Sequence, residues 1–219
     1  EFQEIEEFAE LEQAVADIVS SAFDSAGQRC SALRLLCVQD DVAGRLLEML
    51  EGAVQELKLG DPRALATDVG PVIDADARGL IERHVQALQA KGRRVWRLGS
   101  ADAQSLRGHF VAPTVIELGG VAELGREVFG PVLHVVRYRR DQFGAMLEQI
   151  NATGYGLTQG VHTRIDETVA QMVNASCAGN VYVNRNIVGA VVGVQPFGGE
   201  GLAGTGPKAG GPMYLLRLL

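Results

Sequence analysis

Two kinds of hydrophobic pattern alternate along this chain, and their alternation constrains the fold more than any other feature of the sequence. Stretches with apolar residues at helical spacing are separated by short, unbroken apolar runs. Helices are predicted at 11–26, 40–57, 75–91, 141–151 and 167–176. Strands are predicted at 32–39, 94–98, 110–118, 132–138, 156–162 and 180–184. Because unbroken apolar strands are typical of sheets buried on both faces, the pattern predicts an α/β fold, a mainly parallel sheet with helices on both faces.

The last third of the chain has a different character. Between residues 189 and 211 glycine is dense, and neither helical nor strand periodicity continues. Glycine permits backbone angles and close approaches that other residues do not. This stretch is therefore predicted to be a shaped, glycine-rich loop region at the C-terminal end of the domain.

Composition excludes several classes of function. The formal net charge is -7, which argues against a nucleic-acid partner because binding to phosphates needs clustered Lys and Arg. No apolar stretch approaches the roughly 20 residues that a membrane helix needs, so no integral membrane segment is predicted. The three cysteines are widely and irregularly spaced, so no metal site is expected. Free thiols and the acidic first residues favour a cytoplasmic location.

Cys30 lies in the segment SAGQRCS, just after a predicted helix and before a buried strand. Ligand sites in open α/β sheets lie at connections beyond strand ends, so a thiol on such a turn could be exposed and act as a nucleophile. Its neighbouring backbone N–H groups could stabilise an oxyanion. Local composition alone favours a simpler interpretation, since a lone cysteine is more often a small buried residue. Cys37 and Cys177 keep that interpretation.

Two further segments combine an aromatic residue with glycine and proline. EVFGP, at 127–131, precedes the strongest predicted strand, and PFGG lies at 196–199. A carboxylate on the first loop could bind sugar hydroxyls, and the aromatic residue beside it could press on a flat ring. Taken alone, the first segment is more often an ordinary turn with a solvated glutamate, and the second is an equally weak signal.

The order of these motifs resembles the aldehyde dehydrogenase superfamily. GQRC is followed by EVFGP about a hundred residues later, then by NVYVN and PFGG, so that the resemblance covers nearly the whole chain. SAFDSAGQRCSALR and NRNIVGAVVGVQPFGG are similar to the glutamate γ-semialdehyde (pyrroline-5-carboxylate) dehydrogenase domain of bifunctional proline-utilization enzymes. The resemblance implies an NAD-dependent oxidation of that aldehyde to glutamate.

The resemblance also implies roles for individual residues. Cys30 is expected to attack the small-molecule aldehyde, giving a thiohemiacetal and, after hydride transfer to NAD, a thioester that water hydrolyses. Glu127 is expected to bind the nicotinamide ribose, and Phe129 to brace the nicotinamide. Phe197 is expected to form one wall of the aldehyde pocket.

In the glutamate semialdehyde branch, a serine after the cysteine and a loop of small residues before PFGG hold the substrate carboxylate. The matching residues here are Ser31 and the loop formed by Gly189, Ala190 and Val191. Neutral donors at such a loop can bind a carboxylate without a paired cation.

The chain departs from the family pattern at its beginning. The family carries its NAD-binding domain, an oxyanion-hole asparagine and a glutamate general base before the cysteine, whereas residues 1–10 read EFQEIEEFAE. We therefore predict a lead-in segment at 1–10 and the catalytic domain at 11–219, and expect the NAD-binding domain to be absent from this chain. In the complete enzyme the resemblance implies a proline dehydrogenase domain as partner and a homo-oligomer.

Two other functions stay open at this stage. The chain could be a folded but inactive fragment that serves only as an oligomerisation or binding module, and the isolated 219 residues are expected to form no NADH. A thiol hydrolase that uses Cys30 with a histidine is the third hypothesis, although no histidine lies near a suitable motif.

Overall fold

The computed structural model describes residues 1–7, 9–97 and 107–219, and a sheet of seven strands forms the centre of this part of the chain. The strands in chain order are β1 (Phe2–Ile5), β2 (Leu35–Gln39), β3 (Val95–Arg97), β4 (Thr114–Leu118), β5 (Val132–Tyr138), β6 (Tyr155–Gly156), β7 (Thr158–His162), β8 (Asn180–Val183) and β9 (Glu200–Gly201). Strands β6 and β9 form a separate antiparallel ribbon.

The order of strands in the sheet is β3–β4–β5–β2–β1–β7–β8. All neighbours are parallel except β3 and β4. Parallel neighbours require crossover connections, and helices supply most of them here. The predicted α/β class with a mainly parallel sheet is therefore confirmed.

Helices cover both faces of the sheet, as the unbroken apolar strands predicted. They are α1 (Leu11–Phe23), α2 (Asp40–Gln55), α3 (Ala75–Ala90), α4 (Phe143–Ala152), α5 (Asp166–Ala175) and the short α6 (Tyr214–Arg217). Within the described residues, none of these helices is long and apolar enough to cross a membrane.

Alternate residues of each strand serve the two halves of the core. In β2, Leu36 joins the cluster that contains Ile18 of α1 and Leu46 of α2. Its neighbour Leu35 joins the opposite cluster with Ile81 of α3. This period of two is what a sheet buried on both faces requires, and it fixes the register of the central strands.

Strand β1 was not predicted. Phe2–Ile5 lies between β2 and β7 near the middle of the sheet, within the predicted lead-in segment. The strand was missed because Gln3 and Glu4 break the apolar pattern, yet both are fully buried. The domain boundary near residue 10 stays a prediction.

Most predicted elements agree with the structure within a few residues. The main differences lie at the C-terminal end of α1, where a 3-10 turn replaces the last predicted helical turn, and in β4, which begins at Thr114 instead of residue 110. The predicted strand at 94–98 corresponds to β3, although Leu98 lies outside the described residues. The glycine-rich stretch 189–211 contains the two-residue strand β9 and the isolated pairing of Phe197 with Ala209 rather than long regular elements.

Candidate active site

The turn that carries Cys30 begins where α1 ends. A short 3-10 turn, Asp24–Gly27, terminates the helix. Ser25, Ala26 and Gly27 all have left-handed backbone angles, with φ of 56°, 54° and 64°. For non-glycine residues this conformation costs roughly 1–2 kcal/mol each, so surrounding contacts must hold it. Cys30 follows the turn and its side chain is exposed to solvent.

Gln28 and Arg29 tie this turn to itself and to the next loop. The Arg29 side chain donates from Nε to Ser25 Oγ at 3.0 Å. The Gln28 amide donates to Pro71 O at 3.2 Å and accepts from the Ile73 backbone N–H at 2.9 Å. These contacts stabilise the strained segment immediately before Cys30.

The EVFGP loop packs directly against the same turn. A Cβ atom on Gly27 would lie 2.2 Å from the carbonyl oxygen of Gly130, so that only glycine allows this approach of two backbones. On that loop Glu127 is half-buried, and Phe129 is 46% exposed. The structure therefore brings together Cys30 and the two predicted cofactor-binding residues as parts of adjoining loops.

Both loops lie at one edge of the sheet because they precede neighbouring parallel strands. The Cys30 turn leads into β2, the Glu127 loop leads into β5, and Leu35 pairs with His134. This is the amino edge of these strands, whereas ligand sites in open α/β sheets usually lie beyond the carboxyl ends. The general rule predicted a site at a connection, but not at this edge.

Arg34 connects the two loops. It is 2% exposed, and its guanidinium donates to Gly27 O at 2.5 Å, to Arg29 O at 3.0 Å and to Gly130 O at 3.4 Å. Its Nε donates to Glu127 Oε1 at 3.3 Å, and its Cζ lies 4.7 Å from the centroid of the Phe129 ring. Burial lowers the pKa of the Arg34 guanidinium, and the Glu127 carboxylate opposes that shift.

A cavity of about 410 Å³ opens beside this cluster. Its lining combines the charged pair with an apolar wall and includes Arg34, Leu124, Glu127, Gln149, Thr153 and Tyr155. The cavity therefore extends the cluster on the side of the Glu127 carboxylate rather than on the side of the cysteine.

The predicted substrate-carboxylate residues lie on two segments that meet at the end of α1. Ser31 is buried beside Cys30, whereas Ala190 and Val191 are exposed and Gly189 is half-buried. The connection between the two segments is indirect and runs through Ser21. The Ser21 carbonyl accepts from the Leu33 N–H at 2.8 Å, and its hydroxyl accepts from the Ile187 N–H at 3.1 Å.

Phe197 lies within the C-terminal segment. It is half-buried and pairs with Ala209 through two backbone hydrogen bonds of 2.9 and 3.0 Å. Asn180 at the start of β8 supports the same segment by donating to Pro196 O at 2.9 Å. No hydrogen bond among the described residues joins Phe197 to the Cys30 turn, so its place as a wall of the aldehyde pocket stays a prediction.

The two other cysteines differ from each other. Cys37 is fully buried in β2, and burial together with the nearby Glu4 raises the pKa of its thiol. Cys177 is exposed, so its interpretation as a small buried residue was wrong. It follows α5 at a loop where its backbone N–H donates to Asn151 Oδ1 at 3.1 Å.

Sequence reasoning missed Arg34. The signal was present as an arginine inside the apolar run ALRLLCV, where a charged side chain must find partners. What the sequence alone could not give was the identity of those partners, because Glu127 lies 93 residues further along the chain.

Comparison with known proteins gives one family. Residues 3–219 match the model of the aldehyde dehydrogenase family. The chain is 64% identical over 219 residues to Bifunctional protein PutA of Salmonella typhimurium, covering 98% of this chain and 17% of that protein. The chain thus spans about one sixth of the length of this curated relative.

Solved structures agree with this match. A crystal structure of bifunctional proline utilization A (PutA) superposes with a TM-score of 0.91 at 51% identity, covering 99% of this chain and 22% of that one. A 1-pyrroline-5-carboxylate dehydrogenase from Thermus with bound NAD superposes with a TM-score of 0.88 at 34% identity, covering 98% of this chain and 41% of that one.

Proposed function

This chain belongs to the aldehyde dehydrogenase family, and we propose that it forms the cysteine-bearing part of an NAD-dependent dehydrogenase that oxidises glutamate γ-semialdehyde to glutamate. The observation that carries the proposal is the exposed Cys30 on a turn packed against the loop of Glu127 and Phe129. Similarity to a 1-pyrroline-5-carboxylate dehydrogenase with bound NAD supports the choice of substrate and cofactor.

Cys30 is the nucleophile in this proposal. After the thiol has lost its proton, its sulfur forms a bond to the aldehyde carbon, and the π electrons of the C=O bond move to the oxygen to give the oxyanion of a thiohemiacetal. Within the described part of the chain, the backbone N–H of Cys30 has no hydrogen-bond acceptor. That N–H is therefore available to stabilise the negative oxygen as the new bond forms.

Glu127 and Phe129 fit the part of NAD that must lie next to the cysteine. One oxygen of Glu127 is bound by Arg34, and its other oxygen has no hydrogen-bond partner among the described residues, so it can accept from ribose hydroxyls. The exposed face of Phe129 can support a flat nicotinamide ring. When bound, NAD supplies the acceptor for the hydride that the aldehyde carbon loses.

The carboxylate of the substrate is assigned to Ser31 and the loop at 189–191. The buried Ser31 hydroxyl and the backbone N–H groups of that loop are neutral donors, which suit a carboxylate without adding a competing cation. Phe197 is assigned to the apolar wall of the same pocket, which would select for the methylene groups of the substrate.

The test compares two cysteine variants of the intact protein that carries this sequence. Cys30→Ser should lower NADH formation from glutamate γ-semialdehyde roughly a thousandfold or more, because the nucleophile is lost. Cys177→Ser, at the other exposed cysteine, is the matched control and should retain the rate. Equal rates for Cys30→Ser and the unaltered protein would refute the proposal.

We further propose that the complete protein joins this part to a proline dehydrogenase domain, acts in the cytoplasm and self-associates. The relative at 64% identity is named as bifunctional, and all three thiols of this chain are free. Adding proline, NAD and an electron acceptor for the oxidation of proline to the intact protein should then yield NADH without added aldehyde. Self-association, which the family resemblance implies, would be detected by light scattering. A monomer at micromolar concentration would contradict self-association.

A further inference from the structure

We propose that Arg34 is a positioning residue that holds the Cys30 turn and the Glu127 loop together and orients Glu127 and Phe129 toward the cofactor. The inference rests on the proposed function for its kinetic consequence, but its structural part stands on the contacts alone. No residue role implied by the family resemblance included Arg34.

The carbonyl groups around Arg34 explain why an arginine is needed there. Gly27 O and Arg29 O belong to the cysteine turn, and Gly130 O belongs to the opposite loop. The guanidinium presents five N–H donors in one plane, so that a single side chain can satisfy acceptors from both segments. A lysine offers donors from one nitrogen only and cannot span the same set.

Arg34 also controls the two groups that face the cofactor. Its Nε holds one oxygen of Glu127. This ion pair fixes the orientation of the carboxylate and therefore the direction in which its second oxygen points. Its guanidinium lies against one face of Phe129, which leaves the other face of that ring for a ligand. The orientation of both groups therefore depends on one buried side chain.

The backbone of Arg34 is itself held by a pair of histidines. Its carbonyl oxygen lies 2.9 Å from His134 Nδ1, which must therefore carry the proton and donate. His134 Nε2 is then an acceptor for the Nε2–H of His84, at 2.8 Å. Burial lowers the pKa of His134 to about 3, so its ring stays neutral and keeps these hydrogen bonds at physiological pH. These hydrogen bonds fix the position of the Arg34 backbone, from which its side chain extends toward the two loops.

The kinetic test is a double-mutant cycle on the intact protein. Arg34→Lys keeps the charge but loses the planar set of donors, and it should raise KM for NAD about tenfold while KM for the aldehyde changes less than about twofold. If Arg34 acts through Glu127, the same substitution in a Glu127→Gln background should change KM for NAD by less than about twofold. Arg45→Lys, at an exposed arginine of α2, is the matched control and should leave both constants unchanged.

A second measurement does not depend on the proposed function. Hydrogen exchange of the backbone amides should accelerate about tenfold in Arg34→Lys at residues 28–32 and 127–130 together, while amides of α2 keep their protection. If Arg34→Lys does not fold, Glu127→Gln replaces it and should accelerate exchange at 127–130 only. Unaltered protein that oxidises no aldehyde would reject the proposed function, yet the exchange result would still decide the role of Arg34.

Two outcomes would overturn the inference. One is unchanged exchange in both loops of folded Arg34→Lys. The other is a rise in KM for NAD that is equally large with and without Glu127, since Arg34 would then act independently of that carboxylate.

Discussion

Replacing Glu4 with glutamine should stabilise the fold, and the gain should grow with pH. Glu4 is fully buried in the middle of the sheet, next to Cys37 of β2. One of its oxygens accepts from Gln159 Nε2 at 2.9 Å, and the other has no hydrogen-bond partner in the described structure. Burial is the main reason that the pKa of Glu4 rises from 4.5 to about 8, and the hydrogen bond from Gln159 only partly opposes it.

The size of the effect follows from the two pKa values. The unfolded chain loses the Glu4 proton near pH 4.5, whereas the folded chain keeps it until about pH 8. Between these values unfolding releases a proton, so the free energy of unfolding falls by about 1.4 kcal/mol for each pH unit. Glutamine resembles the protonated acid but does not ionise. Glu4→Gln should therefore exceed the unaltered chain in stability by about 3 kcal/mol at pH 7 and about 4 kcal/mol at pH 8, where the folded carboxyl is half ionised.

Urea unfolding at constant ionic strength between pH 4 and pH 8.5 would measure this difference. Glu48→Gln, at an exposed mid-helix position of α2, removes the same formal charge and should show a difference within about 0.5 kcal/mol at every pH. A Glu4→Gln advantage that does not change with pH, or a loss of stability at pH 8, would refute the argument from burial.

Two further predictions concern the Cys30 turn and the cysteines. Gly27→Ala should lower the free energy of unfolding in urea by roughly 2–4 kcal/mol, because φ is +64° and the new Cβ would meet Gly130 O. Gly44→Ala, in α2 with no atom nearby, should instead stabilise by about 0.5–1 kcal/mol, and equal effects would contradict the packing argument. Iodoacetamide should add two carbamidomethyl groups to the native chain, at the exposed Cys30 and Cys177, and a third only after unfolding, because Cys37 is buried. Mass spectrometry would count the groups, and rapid addition of three would contradict the burial of Cys37.

The fold could be predicted where burial and hydrophobicity agree. Strand β5 (Val132–Tyr138) has the bounds that the sequence predicted, because its apolar run is unbroken. Strand β1 could not be predicted, because a pattern search assigns Glu4 to solvent and the structure buries it. The failure to predict β1 and the predicted instability at Glu4 thus have one cause, which is a carboxyl group at a position that the sheet shields from water.

The site could be predicted in its parts but not in its assembly. The sequence singled out Cys30, Glu127 and Phe129 from separate motifs, and the structure brings their loops into contact. The sequence contains no information about the distance between those motifs. The general rule for α/β sheets places sites at the carboxyl edge, which is the opposite one. The two loops lie side by side because the strands that follow them, β2 and β5, are neighbours in the sheet.

Gly27, Gly130 and Arg34 are best understood as one structural requirement. The two loops can meet backbone to backbone because Gly27 has no side chain, and a Cβ on Gly130 would instead meet the Ile81 side chain of α3. The approach also buries the carbonyl oxygens of Gly27 and Gly130, and each would cost roughly 1–3 kcal/mol if left without a donor. Arg34 supplies those donors from within the protein. A change at any one of the three should therefore disturb the other two, and substitutions among them should be strongly non-additive.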